Sequence, residues 1–186
     1  MEHLLAEHFE EFGVKPEIIV SSPARIYLIG EHSSYFKDKI LSLSINVPIY
    51  VSVSTRKDGL LRFCFPQQKE RKRSSVTSVK FRREDKWANS IKSVIYAANK
   101  LGKSFSGLNF CVHSQFVSSM GMGVTSAIKT ASALALYEYC GFKGGRNNVA
   151  QKMMEIGDSE FLGMETIWSD IYTNLYSKKD FCTLTN

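Results

Sequence analysis

The chain has 186 residues, a formal net charge of +6, 44% hydrophobic and 23% charged residues, the make-up of an ordinary globular protein of about one domain. No apolar run reaches the roughly 18 residues a membrane-spanning helix needs. The acidic start (Glu2, Glu7, Glu10, Glu11) lacks the basic-then-apolar pattern of a secretory leader. Cys64, Cys111, Cys140 and Cys182 are too dispersed for a disulfide or zinc framework, so reduced thiols in a cytoplasmic protein are expected.

Along the chain, residues 3–12 predict an amphipathic helix with Leu4, Leu5, His8, Phe9 and Phe12 on one face and Gly13 as its stop. Ile18 to Val20 and Ile26 to Ile29 read as strands, as do the alternating runs Ile40 to Ile45 and Ile49 to Val53, with Pro48 interrupting. Asp58-Gly59 marks a hairpin into Leu60 to Phe65, and Val76 to Phe81 is a further strand candidate. Between Arg56 and Lys103 lie fourteen of the 24 Lys and Arg residues, against four acids. The densest part, Lys69 to Ser75, reads as a solvated loop. A nucleic-acid contact is the sharper alternative, but no aromatic residues interleave to stack on bases, which argues against it.

Helical spacing then takes over. Trp87, Ile91, Val94, Ile95 and Ala98 form one stripe ended by Gly102, and Gly107 to His113 reads as a strand. Val124 to Tyr139 is the clearest helix, with Gly141 past its end. Asn147 can cap a helix through about Leu162, a short helix follows Asp170, and Phe181 to Leu184 is a last strand. Strands in the first half and helices in the second give an α+β class, a mixed sheet packed by helices mainly from the second half.

Two stretches carry chemistry. Ser22 to His32 is an apolar strand ending in Gly30, Glu31 and His32, an arrangement suited to a polar small molecule. Gly121-Met122-Gly123-Val124-Thr125-Ser126 lies between a strand and the best helix, where glycines allow close backbone approach and free N–H groups with two hydroxyls suit phosphate. A glycine turn capped by Thr or Ser is also how ordinary helices begin.

The first stretch resembles the galactokinase signature of the GHMP kinase family, roughly A-P-G-R-V-N-L-I-G-E-H-T-D-Y, with Leu28-Ile29-Gly30-Glu31-His32 and Tyr35 intact. Glu7-His8-Phe9 with Phe12-Gly13 resembles the family's leader helix, and Lys86-Trp87-Ala88-Asn89 the start of a later one. Ser119 to Ala127 resembles its phosphate loop P-x-G-x-G-L-S-S-S, and Gly163 with Asp170 its G-x-x-C-G-I-M-D segment. The resemblance implies the GHMP N-terminal fold over residues 1–186, without the family's second domain. It implies ATP and Mg2+ as cofactors and galactose or a related sugar as acceptor. By the same resemblance Arg25 and Asp170 serve catalysis, and Glu31, His32, Ser34 and Tyr35 hold the sugar. Gly121, Met122, Gly123, Val124, Thr125 and Ser126 hold ATP, and Asp158, twelve residues before Asp170, holds the metal.

Simpler readings stand beside these: an exposed helix charge for Asp158, an N-cap for Asp170, a structural histidine for His32, an ion pair with Arg25 for Glu31. The sequence also departs from the family pattern. Ala127 replaces a serine that helps hold Mg2+, and a methyl cannot ligate a hard cation. Lys129 opposes the helix dipole; it either neutralises a bound phosphate, partly replacing the metal, or points to solvent. Ser34 replaces a sugar-binding aspartate, a loss of roughly 1–3 kcal/mol for that contact. Ile167 replaces a glycine and intrudes on the sugar position. These departures leave two function classes open. One is a sugar kinase domain, completed by a separate C-terminal-half chain or by self-association. The other is a non-catalytic sensor or interaction protein on the same fold.

Overall fold

The computed structural model describes residues 2–32, 39–115, 121–177 and 182–185. The chain runs α1 (Glu2–Phe12), β1 (Ile18–Ile29), β2 (Ile40–Thr55), β3 (Leu60–Phe65), β4 (Glu70–Ser75), α2 (Ala88–Lys100), β5 (Leu108–His113), α3 (Val124–Cys140), α4 (Arg146–Ile156), α5 (Trp168–Tyr176) and β6 (Cys182–Thr185). The strands form one mixed sheet in the order β1-β2-β5-β3-β4, with β6 also paired to β2. Among the described residues β3 and β5 run parallel and the other pairings are antiparallel. This is the α+β arrangement the element order predicts.

Period-two alternation gives the sheet two different faces. Val51, Val53, Leu61, Phe63, Leu108, Phe110 and Val112 point into the main core, where they meet Ile91, Val94 and Ile95 of α2 and Val124, Ile128 and Ala131 of α3. The alternate residues Ser52, Ser54, Asn109 and His113 face α1, whose buried residues are Leu4 and His8. Burial on both faces explains why all six residues of β5 are inaccessible. Lys92, fully buried in α2, is ion-paired to Asp85 and donates to the Lys80 carbonyl at 3.2 Å, tying the segment before α2 to the helix.

Several boundaries differ from the sequence expectation, each for a physical reason. The paired strand candidates fuse into continuous β1 and β2 despite Pro23 and Pro48, because the two prolines sit opposite each other and the register shifts beside them. Pro48 also lies where the far neighbour of β2 changes from β6, at residues 40–43, to β5, at residues 50–55. Its missing N–H therefore leaves no ladder partner unsatisfied. The basic run is not a loop: residues 70–75 are β4, an edge strand on β3, whose exposed Arg71 and Arg73 discourage further strand pairing. Val76 to Phe81 forms no strand; it makes only an isolated bridge between Ser75 and Ser78. The helix expected through Leu162 changes at Gly157 into a π-helical turn over Gly157–Leu162. Gly145, not Asn147, precedes it, and the Asn147 side chain donates to the Leu175 carbonyl at 3.1 Å instead.

Candidate active site

Arg25 stays in register with Ser44 of β2, and on the open side of this end strand its N–H donates to the Met122 carbonyl at 3.0 Å. This bond fastens the glycine loop to the middle of β1. The loop needs its glycines. Gly123 has φ +68°, and a Cβ there would stand 2.9 Å from Arg25 Cγ and 3.0 Å from Arg25 Nε. The Arg25 guanidinium lies in the space that absent side chain leaves, donating to the Gly121 carbonyl at 3.2 Å.

Asp170 lies in the first turn of α5, where an acid suits the helix dipole, with Ile167 rather than Asp170 in the cap position. It is 3% exposed. Its Oδ1 accepts from Arg25 Nε at 2.5 Å and from the Tyr27 hydroxyl, and its Oδ2 accepts from the Ser126 hydroxyl. Arg25 and Tyr27 are two apart on β1 and so share a face, with the guanidinium carbon 3.8 Å from the Tyr27 ring centroid. Burial, reinforced by the neighbouring Asp170 charge, raises the Tyr27 pKa to about 12, so the phenol stays protonated and donates. Tyr27 is the site residue that sequence reasoning missed. Its one signal is that the family pattern has asparagine at this position.

Beside this cluster, Lys129 in the second turn of α3 is ion-paired to Asp158 at the start of the π-helical turn. Asp158 is 2% exposed, and burial pushes its pKa up against the pull of Lys129. Gly157 permits the approach, since a Cβ there would meet the Ser93 carbonyl oxygen of α2 at 2.8 Å. Gly157→Ala is therefore expected to lower stability by about 1–3 kcal/mol and to displace Asp158, read as a lower urea midpoint; an unchanged midpoint would show that the two segments slide freely.

A cavity of about 200 Å³ joins the two clusters; Thr125, Ser126, Lys129, Asp158, Ile167 and Asp170 lie on its wall. The structure thus brings together Arg25, Gly121, Met122, Gly123, Ser126, Asp158 and Asp170, with Thr125 at the rim. Val124 turns into the core. Glu31 and His32 do not join the cluster: both are exposed and pair with each other at 3.4 Å, so the Glu31–Arg25 pair is not formed. Ser34 and Tyr35 lie outside the described residues. The residues present do not fit a magnesium ion. Ala127 is wholly buried among core residues and offers no ligand atom, and Asp158 is engaged by an ammonium, so neither of the two positions that would hold the ion is open to it.

Residues 6–55 match the model of the galactokinase galactose-binding signature. The putative galactokinase of Treponema pallidum is 31% identical over 186 residues, all of this chain and 47% of that protein. The chain is similar to galactokinases along its whole length. The galactokinase of Thermotoga maritima is 29% identical over 161 residues, 87% of this chain and 44% of that one. The galactokinase-like chain therefore spans about half the length of the curated relatives it matches. In fold it is similar to Lactococcus lactis galactokinase solved with galactose, with a TM-score of 0.76 at 17% identity over 92% of this chain and 45% of that chain. It is also similar to Methanococcus jannaschii mevalonate kinase, with a TM-score of 0.68 at 17% identity over 89% and 55%. The fold is that of the N-terminal domain of these kinases.

Proposed function

We propose that the chain forms the sugar- and nucleotide-binding part of a galactokinase-type sugar kinase, with ATP as phosphoryl donor and galactose or a close relative as acceptor. The observation that carries this reading is the Arg25–Asp170 pair at 2.5 Å, with Arg25 against the glycine loop and Asp170 on the wall of a cavity. In the reaction a sugar hydroxyl oxygen bonds to the γ-phosphorus of ATP, the bond from that phosphorus to the bridging oxygen breaks, and ADP leaves. Asp170 orients the hydroxyl and takes its proton, and Arg25 and the N–H groups at the start of α3 meet the charge on the transferring group. No step is assigned to magnesium, since its ligand set is not met. A site using ATP belongs in the cytoplasm, and among the described residues no helix is long and apolar enough to cross a membrane. Closure over the ligands would come from a further domain, a separate chain or a second copy.

A non-catalytic reading has one observation in its favour: three donors from this chain already bond to Asp170, leaving one acceptor site, on Oδ2, for a sugar hydroxyl. Assay of ADP release with ATP and galactose, beside calorimetric binding of each, separates the two. Galactose-dependent ADP release supports the kinase. Binding of both ligands without turnover overturns it in favour of a sensor.

A further inference from the structure

Lys129 is ion-paired to Asp158, the residue that the family resemblance assigns to the metal. Its ammonium is held by one oxygen of a carboxylate that is 2% exposed, its own side chain is 12% exposed, and it faces the cavity walled by Ser126 and Asp170. An ammonium has three N–H donors, and the bond to Asp158 uses one of them. The others are available to oxygens of a ligand in the cavity.

We propose that Lys129, fixed by Asp158, takes the place of the metal, so that the site binds a nucleotide triphosphate as the metal-free anion. This inference rests on the nucleotide reading of the same site. Two observations argue against a conventional metal arrangement. The residue that would add a hydroxyl ligand is Ala127, fully buried in the core. A cation entering with ATP would have to displace the lysine from Asp158 while being repelled by it. Magnesium-complexed ATP also carries less negative charge than free ATP, so it gains less from a lysine.

The test is titration calorimetry of the unaltered protein with ATP, once in excess magnesium and once in EDTA. The expected result is binding in EDTA at least as tight as in magnesium. Lys129→Ala is expected to weaken binding in EDTA by about 10-fold or more, with part of the loss restored by magnesium now that Asp158 is free. Lys129→Arg, which keeps the charge, is expected to remain metal-independent. ATP binding that appears only with magnesium would overturn the inference and leave the nucleotide site standing. Absence of binding at millimolar ATP in both buffers would overturn the nucleotide reading itself, and this inference with it.

Discussion

Asp170→Asn is expected to lower phosphoryl transfer to the sugar by about 10²–10⁴-fold, the usual contribution of a positioned proton acceptor, while leaving ATP binding within a few-fold. The substitution is informative because it keeps the shape of the site. The amide oxygen can still accept from Arg25 and Tyr27. The amide nitrogen can donate to Ser126, whose hydroxyl rotates from donor to acceptor. What is lost is the charge, and with it the ability to take a proton. The Arg25 side chain is 12% exposed, so losing its charged partner is expected to lower stability by about 1.5–3 kcal/mol. A thermal melt measures that loss separately from turnover. If the variant keeps turnover within about 10-fold of the parent, Asp170 is a structural anchor for Arg25 and the acceptor must be sought elsewhere. Asp170→Ala would not discriminate, because it strands three donors at once and confounds chemistry with folding.

The order of strands and helices was legible because hydrophobic period needs only neighbouring residues. What was not legible depended on partners far along the chain. β4, Glu-Arg-Lys-Arg-Ser-Ser, has no apolar alternation, and it is a strand because β3 offers an edge and the charges face water. Proline punctuation misled in β1 and β2 because two prolines from different strands oppose each other, which is a property of register and not of either strand. In the site, Arg25, Asp170 and the glycine loop carry motif signals. Tyr27 lies in an apolar-looking strand, and only the docking of α5 onto β1 gives it a role. A lysine near the start of a helix marked Lys129 as unusual, although its place in the second turn spares it most of the dipole conflict. Its partner on another helix could not be chosen from spacing alone, and solvent remained the simpler alternative. Glu31 and His32 show the reverse case: a strong sequence motif whose side chains stand outside the cluster.

Acidification is expected to loosen α1 before the rest of the fold. His8 is fully buried between α1 and the sheet, with Nδ1 2.7 Å from the Ser52 hydroxyl and Nε2 2.8 Å from the Ser54 hydroxyl. Asn109 also donates to the Ser54 oxygen, so the ring lies in a buried network of neutral hydroxyl and amide groups with no carboxylate among the described residues against it to balance a positive charge. Burial, aided by nearby His113, accordingly lowers the His8 pKa from 6.5 to about 4. His113 is lowered by burial too, against the pull of Glu7, which it meets at 2.5 Å and which also pairs with His3 at 2.8 Å. With the folded pKa below the unfolded one, the unfolded chain takes up the proton first. Stability is therefore full above about pH 6.5 and falls as the pH drops towards 4, by about 3 kcal/mol for His8 alone. Asp158, whose pKa is raised, works in the opposite sense, and Glu11, lowered by Arg71, adds to the loss at the acid end. Urea unfolding between about pH 7.5 and about pH 4.5 reads the slope, and His8→Gln, which offers an amide donor and acceptor but gains no proton, is expected to flatten it. A parent protein as stable at the acid end as at neutrality would mean that His8 is charged in the folded state and that the hydroxyls beneath α1 accept both ring protons.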